Sequence, residues 1–451
     1  LAAPDLSSSA SRSPCPEDAA EPVRDEEIGA LFAPLASFPI AILAVSGGAD
    51  SVALMHLASR WAQQHGPRTR LLVATVDHAL REASRAEADR VSSQAHALGL
   101  DHETLTWVGD KPSSGIQDAA REARYRLLAA RARSFDPPGR VAIVTAHTED
   151  DQAETLLMRL ARGSGLDGLT AMSDGRSLDD QCVLLRPLLG VSGARLRATL
   201  RGAKLEWLED PSNDADRFER VRLRKARAAL AGVGLTNDKI ALSARRLGRA
   251  QAALDAGVRA LQEATRLDQH GGAFASFDHA AWLAAPEELR LRLLARLIAS
   301  YGDQAEPLRL VRLEALADRL TDTAFEGATL GGAAVSRHGS SVRLFRELGR
   351  TPLPTLLLPP GATEVWDRRF RVRTSVEASD VPEVRALGLD AFAQLRQQLD
   401  MPRDLPAKAA ATLPAFWRGS ELIIVPHFAA LPGVSPAWGT ARRLYSAEFL
   451  G

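Results

Sequence analysis

Cysteine is nearly missing from these 451 residues: there are two, Cys15 and Cys182. Two thiols build neither a disulfide framework nor a four-thiolate metal or iron–sulfur site from this chain, and they fit a reducing compartment. Lysine is also scarce, five of the 56 cations, the others being arginine. No Gly-Lys dipeptide occurs, which excludes a kinase- or GTPase-type phosphate loop, whose lysine reaches the β and γ phosphates. Net charge is zero, 56 basic residues against 56 acidic ones, so no overall field draws the chain to nucleic acid or to an anionic membrane, and any basic surface is local. No apolar run approaches the roughly 20 residues of a spanning helix, and the start lacks a signal peptide's apolar core. The expected location is the cytoplasm, away from membranes.

What is present begins after a Ser-, Pro- and acid-rich stretch, residues 1–26, which reads as a disordered tail. From Pro39 short apolar runs alternate with helix-period segments. Ile40–Val45 precedes Ser51–Gln64, Leu71–Val76 precedes Glu82–Leu98, Glu103–Val108 precedes Gly115–Arg133, and Val141–Ala146 precedes Asp150–Arg162. Strand then helix, repeated, predicts a parallel sheet with crossover helices on both faces. A fifth unit comprises Val183–Leu189, the helix Gly193–Arg201 and the run Lys204–Leu208. The α/β catalytic domain is expected over 27–235. A helical domain follows over 236–350, without clear strands between its helices and closing on a β segment at Ala334–Ser336 and Val342–Phe345. The proline-rich stretch 351–360 reads as a linker, and 361–451 as a small α/β C-terminal domain.

The run Ile42–Ser51, ILAVSGGADS, lies where the first strand ends and the first helix begins. Ligands of open parallel sheets bind at such strand ends, where a helix N-terminus offers unpaired N–H groups to a phosphate. Gly47 and Gly48 let the backbone approach an anion, and Ser46 and Ser51 supply hydroxyls. The other candidates also sit at strand ends or helix starts: Val76–Arg81 with Asp77 and His78, Arg121 and Arg124 on the helix opened by Gly115, and Thr145–Thr155 with His147, Asp150, Asp151 and Glu154. Acids in a first helical turn also serve as ordinary caps that complement the helix dipole, so spacing alone leaves both readings of Asp151 open. A basic stretch, Arg217, Arg220, Arg222, Arg224, Lys225 and Arg227 against Glu219, predicts an RNA-phosphate surface.

Ser46-Gly47-Gly48-Ala49-Asp50-Ser51 resembles the PP-loop of the N-type ATP pyrophosphatases, whose domain is adenine nucleotide alpha hydrolase-like. Together with Val76–Arg81, Ala120–Tyr125, Thr145–Thr155, Arg159–Leu169, Leu185–Leu189, Glu209–Asn213 and Phe218–Arg220, the chain over about 40–230 resembles the tRNA(Ile)-lysidine synthases. Leu413–Arg418 resembles their later domains more loosely. The resemblance implies a reaction: ATP adenylates the C2 oxygen of the wobble cytidine in a CAU anticodon, releasing pyrophosphate, and the ε-amine of free L-lysine displaces AMP. It implies ATP contacts at Ser46, Gly47, Gly48, Ala49, Asp50, Ser51, Asp77, His78 and His147, and catalytic roles for Asp50, Asp151 and Arg124. It implies Mg²⁺ with ATP at Asp50 or Asp151, and tRNA contacts at Arg121, Arg220, Arg222, Arg224 and Lys225. The amine of free lysine ordinarily titrates at about 10.4, so the site has to remove its proton before attack.

Three positions depart from the family pattern: Ala79 where Gly is usual, Thr148 where a second His is usual, and Val221 where Asn is usual. The competing readings are a PP-loop tRNA thiolase and a tRNA-binding protein with an inactive ATP loop. A thiolase relies on persulfide or cluster cysteines near the loop, which Cys15 and Cys182 do not supply, and every loop residue of an active enzyme is present. Oligomeric state is left open, a homodimer included.

Overall fold

The computed structural model describes residues 20–66, 68–79, 84–109, 111–112, 115–135, 140–170, 172–179, 181–209, 219–302, 308–322, 324–349, 352–399, 401–431, 438–439 and 441–451. Most of the proposed tail, the motif residues 80–81 and most of the 209–218 stretch, Arg217 included, lie outside them. The chain divides into two compact units, Leu1–Gln251 and Ala252–Gly451.

The first unit runs α1 (Asp25–Phe32), β1 (Ile40–Ala44), α2 (Ala49–His65), β2 (Arg70–Asp77), α3 (Ser84–Ala97), β3 (Asp101–Thr106), α4 (Ile116–Arg133), β4 (Val141–Val144), α5 (Glu149–Ala161), α6 (Leu166–Leu169), β5 (Gly175–Ser177), β6 (Cys182–Leu185), α7 (Gly193–Gly202) and α8 (Glu219–Gly232), and ends within α9 (Asn237–Ala264). The sheet order is β3-β2-β1-β4-β6-β5, with all neighbours parallel except the β5–β6 pair. Strand alternation sends Leu43, Ala142 and Val144 into an apolar layer with Val52, Met55, Trp61, Leu196 and Leu200 on one face. Ile42, Ile143 and Leu184 go to the other face against Leu128 and Ala132. Buried on both sides, β1 and β4 carry the site at their C-terminal ends, as the doubly wound pattern requires.

Three expectations for this unit need correction. Lys204–Leu208 forms no strand, because the open edge of β6 is taken by the short antiparallel β5; instead the Leu208 N–H donates to the Gly47 carbonyl at 2.8 Å. The end of the proposed tail is packed: Val23 is buried and donates its N–H to Thr199 Oγ1 at 2.9 Å, while Arg195 of α7 holds Glu27 at 2.6 Å. The expected break at 235 falls ahead of α9, whereas the two units meet inside that helix.

The second unit carries, besides helices Glu287–Tyr301 and Leu310–Thr321, a four-stranded antiparallel sheet of Ala275–Asp278, Ser341–Arg346, Ala333–His338 and Gly327–Leu330. The middle region is therefore helical with a sheet of its own, and its first strand interrupts the helices expected to run without one. The expected linker is part of the C-terminal core: Leu356 and Leu357 pair with Val384 and Glu383, and Leu358 is fully buried. Prolines are tolerated there because an edge strand needs only half of its N–H groups. Asp367 accepts from both Arg346 and Arg369, with Arg369 Nε at 2.7 Å and Arg346 Nε at 3.2 Å, which ties the antiparallel sheet to the C-terminal region.

Candidate active site

β1 ends at Ala44 and α2 starts at Ala49, so Val45–Gly48 must turn sharply over the sheet edge. Gly47 makes that turn with φ +90°, and a Cβ there would lie 2.6 Å from Leu208 Cδ1, so both conformation and space demand glycine. The loop is braced from within: Ser51 Oγ accepts the Ser46 N–H at 3.1 Å and donates to the Gly48 carbonyl at 2.9 Å. Gly48 is the N-cap and no side chain caps this helix, which leaves its first N–H groups to an anion.

Asp50, in the first turn of α2, turns toward α5 and α7. Its Oδ1 is buried without a hydrogen-bond partner. Burial, together with the charges of Asp151 and Asp150 and against those of Arg197 and Arg224, pushes its carboxyl up to about 6. Across the cleft α5 opens with three acids that do different work. Asp151 closes a capping box: its Oδ2 accepts the Thr148 N–H at 2.9 Å and the Thr148 hydroxyl at 3.1 Å. Its other oxygen, Oδ1, has Arg220 Nη1 at 3.8 Å. Asp150 accepts the Gly193 N–H at 2.8 Å and turns to α8 and α9, with Arg227 Nη2 at 3.2 Å. Glu154, whose side chain is 5% exposed, accepts from Arg224 Nε at 2.7 Å and has Arg227 Nη2 at 3.6 Å; burial raises its carboxyl above the usual range, against the pull of Arg224.

Arg220, Arg224 and Arg227 thus form one face of α8, at i, i+4 and i+7, laid against these acids. Arg222 and Lys225 are exposed on the same helix. The basic stretch is divided between Arg220, Arg224 and Arg227, which meet the carboxylates of α5, and the exposed Arg222 and Lys225.

On the other side of β1 the site is cationic. Arg124 keeps solvent-exposed surface while protein surrounds it on most sides, as a residue lining a cleft does, and this desolvation lowers its guanidinium pKa. No carboxylate pairs with Arg124 or Arg121 among the described residues; Arg121 instead lies over the Tyr125 ring at 5.4 Å. His78 packs edge-on against Trp107 at 6.0 Å between ring centroids, and its ring is held below its ordinary pKa by burial and by Arg124. His147 is bonded through Nδ1 to Thr145 Oγ1 at 2.9 Å. Burial, with Arg186, Arg121 and Arg220 adding to it and Asp151 opposing, pushes it down to about 4, so the ring is neutral at pH 7. Asp77 is spent on its own loop, accepting from the Ala79 N–H and the Ser84 hydroxyl, both at 2.7 Å. Gly193, Arg197, Arg227 and Asn237 complete the acidic side. Arg227 belongs to the basic stretch expected to meet RNA; the other three carry no motif, and only their contacts reveal them.

A profile of the PP-loop domain matches residues 21–228. A tRNA(Ile)-lysidine synthase from a Bradyrhizobium species is 48% identical over 320 residues, spanning 69% of this chain and 88% of the relative. One from Bradyrhizobium diazoefficiens is 44% identical over 349 residues, 73% of this chain and 95% of the relative. One from Ruegeria pomeroyi is 39% identical over 399 residues, 88% of this chain and 89% of the relative. The chain belongs to the tRNA(Ile)-lysidine synthase family.

Its departures from the lysidine synthase pattern now have physical readings. Ala79 adopts φ +48°, the left-handed region that favours the usual glycine. Thr148 is the N-cap of α5, and Val221 is buried on α8. Cys182 is fully buried beneath α4, and burial, helped by Asp179, pushes its thiol up to about 11; such a thiol is inert, which argues against sulfur transfer.

Proposed function

We infer that this protein is an ATP-dependent ligase that joins lysine to C2 of the wobble cytidine in the CAU anticodon of tRNA(Ile), giving lysidine and converting AUG to AUA decoding. The observation that carries the reading is the braced PP-loop at the end of β1, with the orphaned Asp50 Oδ1 turned toward the acids of α5. The N–H groups of Gly47, Gly48 and Ala49 and the hydroxyls of Ser46 and Ser51 would bind the pyrophosphate portion of ATP. The cytidine C2 oxygen attacks the α-phosphorus, the bond to the pyrophosphate oxygen breaks, and C2 then carries an AMP leaving group. The lysine amine attacks C2, AMP departs with the C–O electron pair, and the amine's proton passes to a site base.

Arg124, with no carboxylate paired to it among the described residues, would meet the phosphates, and its charge is available to the transferring group. The neutral His147, with His78 and the loop built on Asp77, suits contacts with base and ribose rather than phosphate. Asp151 Oδ1, the oxygen that the capping box leaves over, supports a role with the incoming amine or with a metal. Mg²⁺ fits here as well: Asp50 offers an unpartnered buried oxygen, and one or two carboxylates suffice for an ATP-bound ion. Bound there with ATP, Mg²⁺ would offset phosphate charge.

For tRNA, Arg121, Arg222 and Lys225 are the favoured contacts, whereas Arg220 and Arg224 act through the acids they hold. Arg222→Ala or Lys225→Ala should weaken tRNA binding and reduce the slope of log K against log[salt] by about one each, with ATP affinity unchanged; a salt-dependence titration checks this, and an unaltered slope would make the helix structural. No helix among the described residues is long and apolar enough to cross a membrane, and the proposed location, with the tRNA, is the cytoplasm. tRNA-dependent pyrophosphate release from ATP tests the adenylating half of the reaction.

A further inference from the structure

Asp150 stands beside Asp151 on α5 but takes no part in the chemistry above. As a first-turn acid it would ordinarily complement its own helix, yet its oxygens accept from three other elements. Oδ2 takes the Gly193 N–H at the start of α7, at 2.8 Å. Oδ1 takes the Asn237 side-chain amide at the start of α9 and has Arg227 of α8 at 3.2 Å. The fit around Oδ2 is tight: a Cβ at Gly193 would lie 2.8 Å from Asp150 Oδ2 and 3.5 Å from Asp50 Oδ1.

Along the same two helices an apolar seam joins Ala153, Leu156 and Leu157 of α5 to Ile240, Ala244 and Leu247 of α9. The seam is short, three residues from each helix, and a slip by one turn, about 5.4 Å, would cost it part of its apolar contact. The same slip strips Asn237 from Asp150 and leaves a part-buried carboxylate short of its partner, and a polar pair in an apolar seam is the best-attested means of fixing register.

We propose that Asp150 and Asn237 are a positioning pair, whose hydrogen bond fixes the register of α9 on α5 and so sets where Asp151 and Glu154 stand in the cleft. The inference rests on the ATP-dependent reaction proposed above. The test is a charge exchange in the full-length protein: Asn237→Asp, Asp150→Asn and the double variant. Asn237→Asp sets two carboxylates against each other. Adding Asp150→Asn restores a donor and an acceptor with their roles reversed: the amide oxygen at 150 still accepts the Gly193 N–H, and Arg227, 3.2 Å from Oδ1 in the parent, turns from the new amide nitrogen to the carboxylate at 237.

Asn237→Asp should lower kcat for tRNA-dependent pyrophosphate release about 30-fold, with KM for ATP within about twofold, and the double variant should return to within about threefold of the parent. If Asn237→Asp does not fold, Asn237→Ala, which removes the donor without adding charge, should lower kcat about 5- to 10-fold. The proposal is overturned if kcat per folded molecule stays unchanged while Tm falls, which would make the bond a brace only. It is also overturned if the double variant loses as much as the two single losses multiplied. Absence of pyrophosphate release from the parent would instead defeat the reaction assigned above, and the Tm values of the same four proteins would still show whether the two side chains are coupled.

Discussion

Asp50→Asn should abolish adenylation and stabilise the protein at the same time. The activity loss is expected to be about 10³-fold or more, because the carboxylate would hold the Mg²⁺ that offsets charge at the reacting phosphate, while tRNA affinity stays close to that of the parent. The stability gain follows from the carboxyl's environment. Burial and the neighbouring Asp151 and Asp150, partly offset by Arg197 and Arg224, hold it at about 6, against 3.8 for an ordinary aspartate. The folded state therefore binds a proton more tightly than the unfolded chain does. Below pH 3.8 the carboxyl is neutral in both states and costs nothing; between the two values the unfolded chain ionises first, and stability declines until the folded pKa is passed. Above that the ionised carboxylate costs up to about 2–3 kcal/mol. The amide removes this cost, so Tm in metal-free, nucleotide-free buffer should rise at about pH 8 and stay near the parent's at about pH 4. An equal shift at both pH values would show that the charge is not the cause, and retained adenylation would remove Asp50 from the mechanism.

Glu154→Ala should be the most destabilising single change on the acidic side. The carboxylate is buried and holds Arg224 at 2.7 Å, with Arg227 at 3.6 Å. Truncation strips Arg224 of its Glu154 partner and leaves Arg227 to Asp150 alone, at 3.2 Å. Because both can turn partly toward water, the expected loss is about 2–4 kcal/mol rather than the full cost of an orphaned buried charge. Glu154→Gln keeps the shape and one acceptor and should lose about half as much. Urea denaturation of the three proteins measures this; a change below about 0.5 kcal/mol for the alanine variant would mean that the α5–α8 ion pairs are surface decoration.

Much of the sheet domain was legible in the chain. The first and fourth strands are short apolar runs each followed by a helix-period segment, and the ILAVSGGADS turn could only sit at a strand end, which is where the structure puts it. β5 was not legible, because three exposed residues, Gly175–Ser177, carry no periodic signal. Once it took the edge of β6, the Lys204–Leu208 run had no sheet to join. The prolines of 351–360 suggested a linker because composition does not report that Leu356–Leu358 has a partner.

At the site, residue types were easier to read than the directions they face. The basic character of α8 was plain, but charge counting cannot tell a helix that meets RNA from one that meets carboxylates. The spacing of Arg220, Arg224 and Arg227 becomes meaningful only beside Asp150, Asp151 and Glu154. For Asp151 the capping and catalytic readings are not exclusive: Oδ2 closes the capping box, and Oδ1 is left for the proposed chemistry. Asn237 carried no signal, since an asparagine opening a helix looks like a cap.

The central claim is that this site joins lysine to one particular tRNA. Its most direct test is incorporation of labelled L-lysine into an unmodified CAU-anticodon isoleucine tRNA transcript, with ATP and Mg²⁺ and with the methionine tRNA of the same anticodon as control. The account predicts ATP-dependent incorporation into the isoleucine transcript alone. Pyrophosphate release without incorporated lysine, or equal labelling of both transcripts, would contradict it.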